Sequence, residues 1–291
     1  MINNVQRALQ EVANQELSIE ERLKRLANYD GDDQVVPADV LRDFLQEKRA
    51  SCKTVAFSSG IHSLDALIGG FIGGELTVIS GKTKHGKTLL CQTFTNAMRE
   101  NTPSIWFSYE VRPEQFISQF GPDLPFFTMP KRLKSNDTRW LEERIVEAVL
   151  KYDCQAVFID NTHNLLNMAG DNLTHRIDEF VKRLKEIAIS QNIHIFLLHH
   201  ISKGEVNNVN DLNSNLLRDS SMIAQTADNV FFIFRDDDGA WLKITENRRN
   251  GVFNKTVRLR KEGYFFAEDM NPPLVSRFHG RGAARRKDHG E

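Results

Sequence analysis

The sequence has few cysteines, and their spacing does not suggest a metal site or a disulfide framework. Its 291 residues include only Cys52, Cys91 and Cys154, which lie far apart and form no CxxC pair. We therefore expect reduced thiols, as in a cytosol-like compartment, and neither a zinc site nor a disulfide scaffold.

Long apolar runs and a strong net charge are also missing. No apolar run reaches the roughly 18 residues of a membrane span, and the start, "MINNVQRALQEVANQELSIEERL", lacks the apolar core of a secretory signal. We expect no membrane partner. The formal net charge is -1, so any nucleic-acid site must be a local patch rather than a global positive field.

Three regions of the chain differ in composition. Residues 1–50 are charged, with apolar positions three or four apart, which predicts a helical N-terminal arm or linker that is too small for a core of its own. Residues 51–268 alternate short apolar runs with helical patterns and are predicted to form one domain. Residues 269–291 are rich in Gly and Arg without periodicity, which predicts a disordered basic tail.

The middle region is predicted to have an α/β fold. Its buried strands are expected at "ELTVIS", "SIWFSYE", "CQAVFID", "HIFLLHH" and "NVFFIFR". Because helical patterns lie between several of them, we expect a mainly parallel, twisted sheet with helices on both faces. The later stretches "WLKITENRR" and "NKTVRLRKEGYFFA" predict a C-terminal antiparallel β-hairpin.

The stretch "GKTKHGKT" matches the phosphate-loop pattern G-x-x-x-x-G-K-[ST] and has the strand before it and the helix after it that this motif needs. These flanks argue against a coincidental basic turn. Glycine lets backbone N–H groups turn toward an anion, the lysine reaches the terminal phosphates, and the Thr88 hydroxyl is expected to ligate Mg²⁺. The predicted binding residues for ATP or another NTP are Gly81, Lys82, Thr83, Lys84, His85, Gly86, Lys87, Thr88 and Leu89.

Other strand ends carry candidate partners for this loop. Asp160 ends a buried strand, where a second carboxylate would hold the Mg²⁺. Glu110 ends the intervening strand and is a candidate general base, although a surface glutamate would give the same pattern. His199 and His200 end another strand, where one of them could sense the γ-phosphate; a structural histidine is the alternative.

In order, these motifs resemble the helicase domain of ring-shaped replicative helicases of the DnaB and Twinkle type, including the helicase part of phage primase-helicases. The resemblance spans roughly residues 55–267 and implies a RecA-like P-loop NTPase core. "FSYE" is similar to the family's Ser-x-Glu strand and implies that Glu110 is catalytic. "FIDN" is similar to the Mg²⁺-carboxylate motif and places Asp160. "LLHHISK" parallels a strand ending in His-x-x-Lys, which implies His200 as the sensor and adds Lys203 to the DNA-binding set.

The same resemblance implies contacts beyond the nucleotide. "DLNSNLLRDSSMIAQTADNVFFIFR" resembles the segment that lines the ring channel, so Arg218, Asp219 and Ser220 are expected to face single-stranded DNA. "TENRRNG" resembles a Lys-x-Arg-x-Gly motif, which makes Arg249 the arginine finger that reaches a neighbour's nucleotide. Asn247 stands where the family has lysine, so one trans charge is missing unless Arg248 compensates.

The resemblance also sets expectations for partners and location. It implies self-assembly into a ring, a hexamer, and a primase, loader or polymerase as candidate partners. The expected location is the cytoplasm of a bacterium or of a phage-infected cell. Neither a primase module nor a full collar domain precedes the ATPase region in this sequence, and the short arm is expected to supply the helix that packs on the next subunit.

Three functions are consistent with these features. The main expectation is an NTP-driven replicative DNA helicase that moves 5′ to 3′, a polarity taken from the resemblance alone. The first alternative is a RecA-fold, DNA-stimulated ATPase that acts in recombination or helicase loading without unwinding. The second is an ATP-dependent oligomeric switch that binds partner proteins and no DNA.

Overall fold

The computed structural model describes residues 18–31, 33–51, 56–166, 173–201, 206–217, 221–236 and 239–270. The chain divides into two compact units, Met1–Thr54 and Val55–Glu291. None of the helices in the described ranges is long and apolar enough to cross a membrane.

The first unit contains two helices, α1 (Ile19–Ala27) and α2 (Ala38–Ser51). A capping box starts α1, because the Ser18 hydroxyl accepts from the Glu21 N–H while the Glu21 carboxylate accepts from the Ser18 N–H. None of the residues in α1 is buried. The helix therefore depends on its caps and on its amphipathic sequence rather than on a core.

The second unit is an α/β domain. Its helices are α3 (His62–Ile68), α4 (Lys87–Ala97), α5 (Pro113–Ser118), α6 (Thr138–Tyr152), α7 (Thr162–Leu165), α8 (Leu173–Gln191) and α9 (Ser221–Thr226). Its strands are β1 (Leu76–Gly81), β2 (Ser104–Ser108), β3 (Ala156–Asp160), β4 (His194–His200), β5 (Asn229–Asp236), β6 (Gly239–Asn247), β7 (Lys255–Glu262) and β8 (Phe265–Glu268). Short 3₁₀ turns lie at Val209–Asp211 and Ser214–Leu216.

The strands form one sheet in the order β2-β3-β4-β1-β5-β6-β7-β8. Strands β1 to β5 pair in parallel, as the sequence predicts, and β6 to β8 add to β5 in antiparallel fashion. The chain reverses direction across the sheet beside β1, so the carboxyl end of β1 lies at a topological switch point. That is where a parallel α/β sheet places its ligand site.

The predicted C-terminal hairpin belongs to a longer antiparallel meander. The stretch "NKTVRLRKEGYFFA" turns back on itself at Gly263 and forms both β7 and β8. The expected fold class, a RecA-like core with a mainly parallel sheet, is confirmed.

Helices cover both faces of the sheet. Side chains alternate along β1, so that Val78 packs with α6 and α8 on one face while Ile79 packs with α3 and α4 on the other. On this second face Trp106, Phe158 and Phe196 stack in a row, with ring centroids 4.5 and 4.6 Å apart. The two apolar layers fix the positions of the strands, and with them the positions of the residues at the described strand ends.

Candidate active site

Two glycines give the loop between β1 and α4 its shape. At Gly81 a Cβ atom would lie 2.4 Å from the carbonyl oxygen of Ile233, and at Gly86, where φ is +103°, it would lie 3.0 Å from the Phe266 ring. No side chain caps the start of α4. Its first-turn N–H groups therefore remain available to an anion, which the helix dipole also favours.

Lys87 lies inside this loop. Its side chain is buried, and Nζ donates to the carbonyl oxygens of Gly81 and Lys82 at 3.0 and 3.2 Å. Burial lowers the pKa of Lys87, while the carboxylates of Asp160 and Glu110 oppose that shift. The ammonium group is thus oriented within the loop before any phosphate binds.

Thr88 and Asp160 meet at the opposite side of the loop. The Thr88 hydroxyl donates to Oδ2 of Asp160 at 2.6 Å. Oδ1 of Asp160 is buried and has no hydrogen-bond partner within the described ranges. A hydroxyl beside a carboxylate oxygen with an unused lone pair fits the hard, oxygen-seeking Mg²⁺ ion, which is usually held by one or two protein oxygens plus substrate phosphates.

The environment of Asp160 affects its charge. Burial is the largest of four influences that together raise the pKa of Asp160 to about 6: burial and nearby Glu110 raise it, whereas the Thr88 hydrogen bond and Lys87 lower it. At neutral pH the carboxylate is still mainly ionised, as a metal ligand must be.

Asn161, which the sequence analysis did not single out, links the two remaining candidates. Its Oδ1 accepts from the Asn164 N–H at 3.1 Å, which caps α7 and fixes the orientation of the amide. Its Nδ2 consequently points at Oε2 of Glu110 (3.2 Å) and Nε2 of His200 (3.0 Å). Glu110 and His200 are therefore brought together at the carboxyl edge of the sheet through one amide group.

His200 is neutral at physiological pH. Burial, followed by the charge of Lys87 and by His163, lowers the pKa of His200 to about 4. A neutral imidazole that accepts from Asn161 at Nε2 carries its proton on Nδ1. The adjacent His199 is fully buried.

The other loop residues divide into two groups. Thr83, Lys84 and Leu89 line the cleft beside the loop. The side chain of Lys82 instead donates to the Val206 carbonyl at 2.6 Å, and His85 accepts from the Arg235 N–H at 3.0 Å. The side chains of Lys82 and His85 thus tie the loop to neighbouring segments.

The cleft beside the loop has a volume of about 480 Å³. Besides the loop and Glu110, it is lined by Gln92, Gln119, Lys261 and Tyr264. Sequence reasoning missed these four, although Gln92 follows Thr88 by one helical turn and so shares its face. A larger depression of about 990 Å³ lies on α6, but its charged lining residues are partly paired with one another, as in Arg183–Glu142. The smaller cleft contains the candidate chemistry.

Arg249 lies at the opposite edge of the sheet. Strand β6 runs antiparallel to β5, so its last residue, Asn247, pairs with Asn229 at the start of β5. Arg249 follows directly and contacts the end of α3 and Glu75, the residue before β1. The six residues of β1 therefore separate Arg249 from the phosphate loop of its own chain, a span of about 20 Å at about 3.3 Å per residue.

The neighbours of Arg249 have structural contacts of their own. Asn247 is buried, donates to Oδ1 of Asn229 and accepts from the Asn250 N–H. Arg248 donates to the Gln225 carbonyl at the end of α9. The Arg248 guanidinium thus donates to its own chain, and the structure does not assign it the role of the lysine that the family has at position 247.

The predicted DNA-binding residues Lys203, Arg218, Asp219 and Ser220 lie outside the described residues. Residues 206–217, which the structure describes, lie between Lys203 and Arg218 in the sequence. Helix α9 begins at Ser221, directly after Ser220. Their roles stay predictions.

Comparison with known proteins agrees with this geometry. Residues 57–124 match the family model of the KaiC ATPase, and residues 128–262 match that of the DnaB-like helicase C-terminal domain. The chain is thus similar to DnaB-type helicases over residues 128–262 and has a RecA-like fold. The KaiC-like stretch contains the phosphate loop and Glu110, and the DnaB-like stretch contains Asp160, His200 and Arg249.

Curated relatives are distant but point the same way. The chain is 25% identical over 296 residues to the replicative DNA helicase DnaB of Treponema pallidum (strain Nichols), covering 88% of this chain and 65% of the relative. It is 24% identical over 257 residues to the replicative DNA helicase DnaB of Pasteurella multocida (strain Pm70), covering 72% and 54%. The chain thus spans less than two thirds of the length of these relatives.

Solved structures share the fold. One, described as an ATPase domain, superposes with a TM-score of 0.66 at 18% identity and covers 81% of this chain and 99% of its own. Another is a DnaB-like replicative helicase described together with its interactions with primase, with a TM-score of 0.62 at 20% identity, covering 91% and 75%.

Proposed function

We propose that this protein is a nucleoside-triphosphate-driven DNA helicase that works as a ring, a hexamer, on single-stranded DNA. It hydrolyses ATP or another NTP with Mg²⁺ and separates duplex DNA as it moves. The 5′-to-3′ direction follows from the resemblance to DnaB-type helicases. A primase, loader or polymerase is the expected protein partner.

One observation carries this proposal: the catalytic groups lie at two opposite edges of one sheet. Lys87, Thr88, Asp160 and Glu110 occupy the carboxyl edge, whereas Arg249 follows β6 at the other edge. The position of β1 between Arg249 and its own loop supports a role for Arg249 at a neighbouring subunit rather than in its own cleft. A second copy of the chain, placed with its amino edge against this cleft, supplies the missing cation.

In this proposal five residues at the carboxyl edge, Lys87, Thr88, Asp160, Glu110 and His200, each have a task in hydrolysis. Lys87 and the first-turn N–H groups of α4 bind the terminal phosphates, and Thr88 with Asp160 holds Mg²⁺, which neutralises phosphate charge when bound. Glu110 orients the attacking water and accepts its proton. Neutral His200, beside Glu110 through Asn161, donates to or contacts the γ-phosphate and detects its loss.

The DNA contacts are proposed to involve Lys203, Arg218, Asp219 and Ser220. The two cations among them, Lys203 and Arg218, would meet the phosphate backbone, so binding should be salt-dependent and nearly blind to sequence. Phosphate release at the cleft changes charge-assisted contacts there, and the loops that carry these residues follow.

A forked DNA substrate tests the proposal directly. The wild-type protein, with ATP and Mg²⁺, should displace one strand, while Lys87→Ala should not. Hydrolysis that single strands stimulate without any displacement would support the DNA-stimulated ATPase alternative and overturn the helicase. Hydrolysis indifferent to DNA would support the protein-binding switch.

A further inference from the structure

Arg249 is held in place by groups that leave one side of its guanidinium free. Its Nη2 donates to the carbonyl oxygens of Ile68 (2.8 Å) and Gly70, and its Nε lies 3.2 Å from Oε1 of Glu75. Nη1 forms no hydrogen bond to any residue in the described ranges. The side chain is 27% exposed.

One carbonyl, that of Ile68, is the last of α3, and the other, that of Gly70, lies in the turn just after it. Gly69, in the left-handed conformation at φ +71°, ends α3, and the chain turns back through Gly70. The last carbonyls of a helix lack intrahelical partners and carry its partial negative charge, so they attract a cation. This turn fixes where Nη2 lies.

Glu75 is the third group that holds the Arg249 guanidinium, and it does so at Nε. It is 7% exposed, and its backbone joins the sheet because the Ile195 N–H donates to the Glu75 carbonyl at 3.0 Å. Nδ2 of Asn229 approaches its carboxylate at 3.4 Å. Burial raises the pKa of Glu75, and the charge of Arg249 opposes that shift. A buried carboxylate without its cation would be unfavourable, so the pair restrains both partners.

We propose that Glu75 is a positioning residue for the arginine finger. It holds Nε while the Ile68 and Gly70 carbonyls hold Nη2, and Nη1 is thereby presented to the γ-phosphate bound by the neighbouring subunit. The restraint removes the need to order a long side chain at each catalytic cycle. This inference rests on the proposed function, because it requires Arg249 to act across an interface.

The competing explanation is purely structural: Arg249 caps α3, and Glu75 neutralises it. Simple activity loss in Glu75→Ala cannot separate the two, since damage to the fold also lowers activity. The two explanations differ in the subunit in which the Glu75 substitution should have its effect. A finger-positioning residue must matter in the subunit that donates the finger and be dispensable in the subunit that donates the pocket.

The experiment uses mixed rings with subunit exchange verified. Lys87→Ala chains keep the finger and lose the pocket, Arg249→Ala chains have the reverse defect, and their mixture should recover part of the hydrolysis. Adding Glu75→Ala to the Lys87→Ala chain should lower this recovery by up to about 10²-fold, the scale of a misplaced catalytic group. Adding Glu75→Ala to the Arg249→Ala chain should leave it unchanged.

Controls keep the result interpretable. Asp269→Asn in the Lys87→Ala chain removes the partner of another partly buried arginine, Arg258 (2.9 Å), and should leave the recovery intact. Glu75→Gln, which keeps the shape of the side chain, serves if the alanine variant melts early, and it should show the same one-sided defect in weaker form. Nucleotide binding by the pocket subunit should not change.

Each outcome decides a specific point. Equal loss on both sides, or none on either, overturns the positioning role of Glu75 while the proposed function stands. If the parent mixture of Lys87→Ala and Arg249→Ala chains exchanges subunits and still shows no recovery, Arg249 does not act across the interface. The role of Glu75 then fails as well.

Discussion

Asp160 and Lys87 are buried and His200 is half-buried at one edge of the sheet, and burial shifts the pKa of each in its own direction. It raises the pKa of the carboxyl group to about 6 and lowers the pKa values of the amine and the imidazole. In each case burial favours the neutral form of the group. The charge of Asp160 raises the pKa of Lys87 and the charge of Lys87 lowers that of Asp160, so each opposes the effect of burial on the other, whereas His200 is left neutral.

Glu110→Gln should bind nucleotide but fail to turn it over. The amide keeps the shape of the side chain yet cannot accept a proton from water, and we expect turnover to fall at least about 10²-fold. Lys87→Ala is the contrasting variant, because it should weaken nucleotide binding as well. Binding of a fluorescent nucleotide analogue together with steady-state hydrolysis separates the two; normal hydrolysis by Glu110→Gln would make Glu110 a mere strand-end carboxylate.

The residues of the phosphate loop can be named from the sequence alone, because their spacing is local and each is assigned a role relative to one bound anion. Asn161 and Glu75 carry no such local signal. Asn161 gains its role from Glu110 and His200, which are 51 and 39 positions away, and Glu75 gains its role from Arg249. Contacts of that kind depend on strand order, which a single sequence does not state.

At the level of elements, the five parallel strands could be predicted because strands buried on both faces read as continuous apolar runs. The antiparallel end was harder. Strand β7 alternates buried and exposed residues only partly, and the Gly263 turn is short, so two strands read as one. The extra strand matters, because the β7–β8 turn brings Lys261 and Tyr264 to the nucleotide cleft.

Strand β4 carries a buried histidine that joins three segments. Nε2 of His194 lies 2.8 Å from the Thr77 hydroxyl of β1, and Nδ1 lies 2.8 Å from the Ile72 carbonyl of the lead-in segment. Burial lowers the pKa of His194 to about 3. At His194 the folded state therefore binds fewer protons than the unfolded state between about pH 6.5 and pH 3.

Through His194, the free energy of unfolding should fall as the pH is lowered across that window. Above pH 6.5 the neutral His194 costs nothing, and as the pH falls from 6.5 toward 3 the free energy of unfolding should drop by up to about 1.4 kcal/mol per pH unit. Asp160 contributes with the opposite sign, but equally in both proteins. Denaturant unfolding of wild type and His194→Gln from pH 7 to 5 measures the difference, and the variant should have the flatter profile. Parallel profiles would contradict the assignment.

At the scale of the whole molecule, a motor needs its nucleotide site and its DNA site to respond to each other. The turn after β6 is placed for this, since Arg249 contacts the end of α3 while Arg248 contacts the end of α9. Helix α9 begins at Ser221, directly after the predicted DNA-binding residues 218–220. In the proposed helicase, a change at residues 218–220 would thus reach Arg249, the proposed finger, through two adjacent residues.

Arg218→Ala tests the DNA side of this arrangement. If Arg218 neutralises one phosphate of single-stranded DNA, its loss should weaken binding with little dependence on base sequence and reduce the slope of log K against log salt by about 0.7 to 1. Hydrolysis without DNA should change little, because the cleft is intact. Arg183→Ala is the matched control, since this exposed arginine pairs with Glu142 and Glu186 on the outer helices. Fluorescence anisotropy at several salt concentrations measures both variants, and equal slopes for Arg218→Ala and wild type would place the DNA path elsewhere on the ring.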